Sequence, residues 1–102
     1  MRNSVALDAT GVDRWKLSGV LDFDTVLDAW ELLRPLLGKQ GTVILSLGGI
    51  KQANSAAIGL LLEGSELAGR SDCRLVLREI PPTLRDLAAM SNLESILPYE
   101  DA

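Results

Sequence analysis

The chain has 102 residues, which fits one domain, with ten Lys and Arg against fourteen Asp and Glu. A net charge of −4 speaks against nucleic acid, whose phosphates need clustered cations, and against unaided adhesion to an anionic membrane. There is no histidine and one cysteine, Cys73, so the commonest general base, metal ligand and near-neutral pH switch are missing and no intrachain disulfide forms.

Val5, Leu7 and Ala9 alternate with Ala6 and Asp8, and Trp15 and Leu17 alternate with Lys16 and Ser18. Joined by the turn Gly11-Val12-Asp13, they read as an antiparallel hairpin. Gly19 to Asp24 is a loop, and Asp22, Asp24 or Thr25 is placed to cap the next helix. Val26, Ala29, Trp30, Leu33, Leu36 and Leu37 then form a helical apolar stripe. Pro35 is expected to end or kink that helix near Arg34. Thr42 to Leu47 reads as a buried central strand, which Gly48-Gly49 is expected to break. A second helix opens at Ser55, the expected N-cap, and carries Ile58, Leu61 and Leu62, with Gly69 as its stop. Cys73 to Leu77 is a fourth strand, and Pro82 opens a third helix with Leu84, Leu87 and Ala88. Leu93, Ile96 and Leu97 suit a short closing turn, and the tail from Tyr99 is expected to be loose.

The predicted order is ββαβαβα plus that turn, an α/β domain spanning residues 1–102. Its expected form is a mixed sheet of about four strands with helices packed on it, because single helices between strands are parallel crossovers. No polar-then-apolar leader and no apolar run near the roughly 20 residues of a spanning helix is visible. The expectation is a cytoplasmic protein that inserts in no membrane and reaches one only through a partner.

The chemistry-bearing residues point away from catalysis. Eight serines are present, yet no histidine is there to activate one, and no spacing marks out Lys16, Lys39 or Lys51 as a substitute base. Asp22 and Asp24 read as a capped, solvated loop with too few oxygens for a divalent ion. Gly48-Gly49 lacks the spacing of a phosphate loop, and Cys73 reads as a small core residue. No enzyme activity, cofactor or metal is therefore expected. Trp30 suits either the core or an interface. Ser55 stands out: a hydroxyl at a helix N-terminus lies beside free N–H groups and the positive dipole end, with small neighbours Ala53, Ala56 and Ala57 that let another surface approach.

The layout, with Asn54-Ser55-Ala56-Ala57-Ile58-Gly59 opening the second helix, resembles the STAS domain family. Leu17-Ser18-Gly19-Val20-Leu21-Asp22 and Ala29-Trp30-Glu31 are similar to the STAS subunits of Mla-type phospholipid-transport ABC complexes. The resemblance implies a STAS fold and a chain that binds and stabilises or regulates the transporter's ATPase subunit, and through it meets the membrane permease. Such a chain is peripheral to the inner membrane and serves outer-membrane lipid asymmetry. Carried over by position, Ser55 sits at the contact with Asn54, Ala56 and Gly59 beside it, and Trp30 matches the family's tryptophan on the first helix. The family's usual acidic residue before the Ser or Thr is Asn54 here, its glycines are Ala56 and Ala57, and Ser46 replaces an aspartate. Loss of that carboxylate favours docking over the alternative the family offers, an anti-sigma-factor antagonist switched by phosphorylation of Ser55.

Overall fold

The computed structural model describes residues 3–93 and 97–98. Among them the elements run β1 (Val5–Gly11), β2 (Arg14–Leu21), α1 (Val26–Leu37), β3 (Gly41–Ala53), α2 (Ser55–Arg70), β4 (Cys73–Arg78) and α3 (Pro82–Met90), the order that hydrophobic periodicity predicts. The closing turn expected at Leu93–Leu97 falls partly on 94–96, and the tail on 99–102; these lie outside the described residues.

β1 and β2 pair antiparallel, with Leu7 opposite Leu17 and Asp8 opposite Lys16. Asp13 turns the hairpin in the left-handed region, at φ 58°, which a short polar side chain tolerates. Further along β2, Gly19 sits at φ +109°, and a Cβ there would collide with the Ser4 carbonyl. That carbonyl accepts from the Val20 amide at 3.1 Å, so the glycine of the Leu-Ser-Gly segment is required by close backbone approach.

The sheet order is β1-β2-β3-β4, and β3 pairs parallel with both β2 and β4. Each crossover steps the same way along the sheet. Because such crossovers are right-handed, α1 and α2 fall on one face. Burial follows: Val43, Leu45 and Leu47 are buried, while Thr42, Ile44 and Ser46 point to the half-open side. Leu17, Leu33, Leu37, Leu61, Leu77 and Leu84 join the same core, and each such leucine contributes about 1.5–3 kcal/mol of transfer free energy.

Three expectations of the local pattern fail. Pro35 does not end α1 at Arg34; the helix runs on to Leu37, with the Gly38 amide donating to the Arg34 carbonyl at 2.9 Å. Burial of Leu37 holds that last turn and offsets the single ladder hydrogen bond that Pro35 cannot donate. Gly48-Gly49 does not break β3, which continues to Ala53. Neither glycine has a positive φ. The register with β2 shifts there, Lys16 pairing with Ser46 but Ser18 with Gly49, so β3 bulges. A Cβ on Gly49 would lie 2.7 Å from Ser18 Cβ and 2.9 Å from Lys16 Cε; glycine serves cross-strand closeness, not a turn. Gly69 is not the stop of α2, which ends at Arg70 with Ser71 as cap. Asp72, at φ 55°, takes the left-handed position that commonly follows a helix.

Candidate partner-docking site

The loop after β2 is organised by Thr25, which is 1 % exposed. Its hydroxyl donates to the Val20 carbonyl at 2.8 Å and accepts from the Asp22 amide at 3.0 Å. Asp22 Oδ1 in turn accepts from the Asp24 and Thr25 amides at 2.9 and 3.1 Å, and Oδ2 accepts from the Asn3 side chain at 3.1 Å. These bonds, the Asn3 amide foremost, hold the Asp22 carboxyl below the usual carboxylate range. The tight loop pushes Phe23 outward, at 70 % exposure.

α2 begins one residue earlier in its capping than the sequence indicates. Asn54, in extended conformation, is the N-cap, and its Oδ1 accepts from the Ala56 amide at 2.9 Å. Ser55 is not the cap but the first helical residue. Asparagine and serine cap equally well, so spacing alone does not choose between neighbours. The Asn54 backbone decides, because its amide is fixed to the Leu21 carbonyl at 3.2 Å. Ser55 is left exposed at the start of the helix, beside Ala56.

Between α1 and α2 lies an apolar surface groove of about 410 Å³. One wall is Phe23, Val26, Leu27 and Trp30; the other is Ala56, Gly59, Leu60 and Glu63. Each wall has i, i+3, i+4, i+7 spacing; α2 supplies the whole of the second, while α1 supplies Val26, Leu27 and Trp30 of the first and the loop before it adds Phe23. Trp30 is half-buried, packing on the core while lining the groove. Of the residues singled out in the sequence, Trp30, Ala56 and Gly59 come together here, with Ser55 at the mouth. Asn54 instead lines a separate, smaller cavity with Val20, Asp22 and Gln52.

Phe23 and Leu27 are the residues that sequence reasoning missed. Leu27 is 73 % exposed and lies off the apolar stripe of α1, on the side where Asp28 and Glu31 mark the solvent. A large apolar residue on that side was the available signal, as was the chain's only phenylalanine in a polar loop. Charge is also segregated. Segments 22–37 and 55–70 hold six carboxylates (Asp22, Asp24, Asp28, Glu31, Glu63, Glu66) and two cations, Arg34 and Arg70. Arg34 is paired with Glu31 at 3.1 Å.

Cys73 is buried, and burial raises its thiol pKa. Among the described residues no group of acidic, cysteine or histidine side chains is placed to hold a metal ion, and no helix is long and apolar enough to cross a membrane.

A helix-covered mixed sheet with an open apolar groove beside a small-residue helix start defines an α/β interaction domain. The chain belongs to the STAS domain family: a family model described as "Mlab, STAS domain" matches residues 4–98. STAS domains are protein-interaction domains. Among solved structures, an anti-sigma-factor antagonist (STAS) domain protein from Planctomyces limnophilus aligns at TM-score 0.73 and 13 % identity, over 97 % of this chain and 92 % of that one. The unphosphorylated anti-sigma-factor antagonist SpoIIAA aligns at 0.71 and 19 %, over 96 % and 87 %. The Bacillus cell-fate determinant SpoIIAA in phosphorylated form aligns at 0.69 and 20 %, over 96 % and 90 %. At these identities the likeness is one of fold. No curated protein matches significantly.

Two outcomes follow from the site's geometry. A Cβ on Gly59 meets nothing within 4 Å, so Gly59→Ala is expected to raise stability by up to about 1 kcal/mol through helix propensity. A lowered melting temperature would show that a neighbour fills that space. Because the Asp22 pKa is depressed in the folded chain, its contribution is full above the ordinary carboxylate range and is lost as pH falls through the lowered value. Denaturation of parent and Asp22→Asn protein is expected to differ at neutral pH and to converge in acid; a gap that widens in acid would refute this.

Proposed function

We propose that this chain is a non-catalytic subunit that docks on the ATPase subunit of an Mla-type phospholipid-transporting ABC complex. The contact is the start of α2, with the exposed Ser55 hydroxyl, and the groove beside it. The observation that carries the reading is the match of residues 4–98 to a STAS family described by the Mla name, joined to an exposed apolar groove at the helix start where the family's Ser or Thr falls. Ser55 and Ala56 are small enough for close approach of another backbone. Gly59 keeps the groove floor clear, and Trp30 offers an anchor of large area and one N–H donor. Asn54 acts behind the surface by capping α2 and holding Ser55 in place. Through the ATPase the chain meets the permease at the cytoplasmic face of the inner membrane, where it stabilises or regulates the transporter that maintains outer-membrane lipid asymmetry.

A second reading, an anti-sigma-factor antagonist switched at Ser55, rests on the exposure of that hydroxyl at the first helical position. A phosphate there would meet the positive end of the helix dipole. Mass spectrometry of protein from its native host distinguishes the two, since phosphate on Ser55 favours the switch.

Titration calorimetry of Ser55→Glu and Ser55→Ala against the ATPase of the same host tests the docking reading. The glutamate adds bulk and a charge that must be desolvated at the contact, yet favours the helix N-terminus. Binding is expected to weaken about tenfold or more, roughly 1.4 kcal/mol, with an unchanged melting temperature and a smaller loss for alanine. Parent-like binding of Ser55→Glu would overturn it.

A further inference from the structure

We infer that the groove between α1 and α2 receives an amphipathic helix of the partner, apolar where it is buried and bearing lysine or arginine over Glu63 and Glu66. This deepens the docking reading and rests on it. The shape of the groove specifies a helix. Val26, Leu27 and Trp30 of α1, extended by Phe23 from the loop before it, face Ala56, Gly59, Leu60 and Glu63 of α2, both sets at helical spacing. A third helix packs its ridges into such a seam. The bulky wall faces a wall whose mouth is small, Ala56 and Gly59, so the incoming side chains have room there. An extended segment fits badly. The groove is apolar, and the α2 amides at its edge are already taken by Asn54, that of Ala56 by its Oδ1 and that of Ala57 by its carbonyl, leaving a strand's polar groups without partners there. A helix satisfies its own.

Charge specifies the chemistry of that helix. Glu63 is the ionisable group lining the groove, and Glu66 follows one turn on along the same helix face. Neither carries an ion pair among the described salt bridges, whereas the nearest guanidinium on α1, Arg34, is engaged by Glu31. The wider surface agrees. Against the six carboxylates and two cations of segments 22–37 and 55–70, the four strands hold five cations (Arg14, Lys16, Lys51, Arg74, Arg78) and one carboxylate, Asp8. A cationic helix is thus drawn to the helical layer and turned away from the sheet. The same carboxylates repel an anionic bilayer, so the exposed Phe23 and Leu27 do not serve as membrane anchors.

The test uses the whole chain and two designed helical peptides, each with leucine at i, i+3, i+4 and i+7; one carries lysine at its other positions and the second glutamate. Binding is followed by backbone amide and tryptophan indole shifts in NMR. The lysine peptide is expected to shift Leu27, Trp30, Gly59 and Glu63, and to bind more weakly as salt rises. The double variant Glu63→Lys, Glu66→Lys, altered at exposed positions, is expected to lose about tenfold in affinity for that peptide. The proposal is overturned if both peptides bind alike, if neither binds, if the shifts fall on the sheet face, or if Trp30 shifts with protein concentration alone, which makes a second copy the occupant. Its fate is separable from that of the ATPase reading. ATPase binding that is blocked by Ser55→Glu but indifferent to the double variant sinks the cationic helix and leaves the ATPase standing. Seating of the lysine peptide in a chain that does not bind the ATPase does the reverse.

Discussion

Helices α1 and α2 are in close contact where Leu37 packs against Gly64, whose Cβ would lie 3.1 Å from Leu37 Cδ1. Glycine at that point lets the helix pair close, and Leu33, Leu37, Leu61 and Ala57 fill the interior behind it. Toward the starts of the two helices lies the groove of about 410 Å³. The two ends are linked by geometry. Both helices descend from parallel strands on one face, so their relative position is set by the sheet and by the Leu37–Gly64 contact. A site built this way is positioned by rigid elements and not by loops.

The groove end holds the features that suit docking. The Asp22–Thr25 hydrogen-bond cluster turns Phe23 outward, and the Asn54 cap, tied to Leu21, presents Ser55 and Ala56 at the end of β3. In open α/β sheets, ligands commonly meet the protein beyond the carboxyl ends of parallel strands, which is where both helices begin. The exposed apolar residues there carry a stability cost in solvent that burial by a partner removes.

Element order was legible because each core-facing residue repeats at its period: two in β1 and β2, 3.6 in α1 and α2. What the period does not encode was missed. Gly48-Gly49 looks like a break when read alone; its role depends on Ser18 and Lys16 of the neighbouring strand. Pro35 was tolerated because Leu37 is held by tertiary packing. The cap fell to Asn54 over Ser55 through a bond to Leu21, remote in sequence. Ser55, Gly59 and Trp30 were singled out by residue chemistry and by family resemblance, and the structure brings two of them to the groove with Ser55 at its mouth. Phe23 and Leu27 escaped notice because an exposed apolar side chain gains meaning when its neighbours in space are known.

Docking on the α1–α2 face is open to direct measurement. Amide hydrogen exchange of this chain, alone and saturated with the ATPase of its host, reports it directly. Added protection is expected across residues 23–31 and 54–63, with the open sheet face of β1 and β2 unchanged. Protection confined to that sheet face would contradict it.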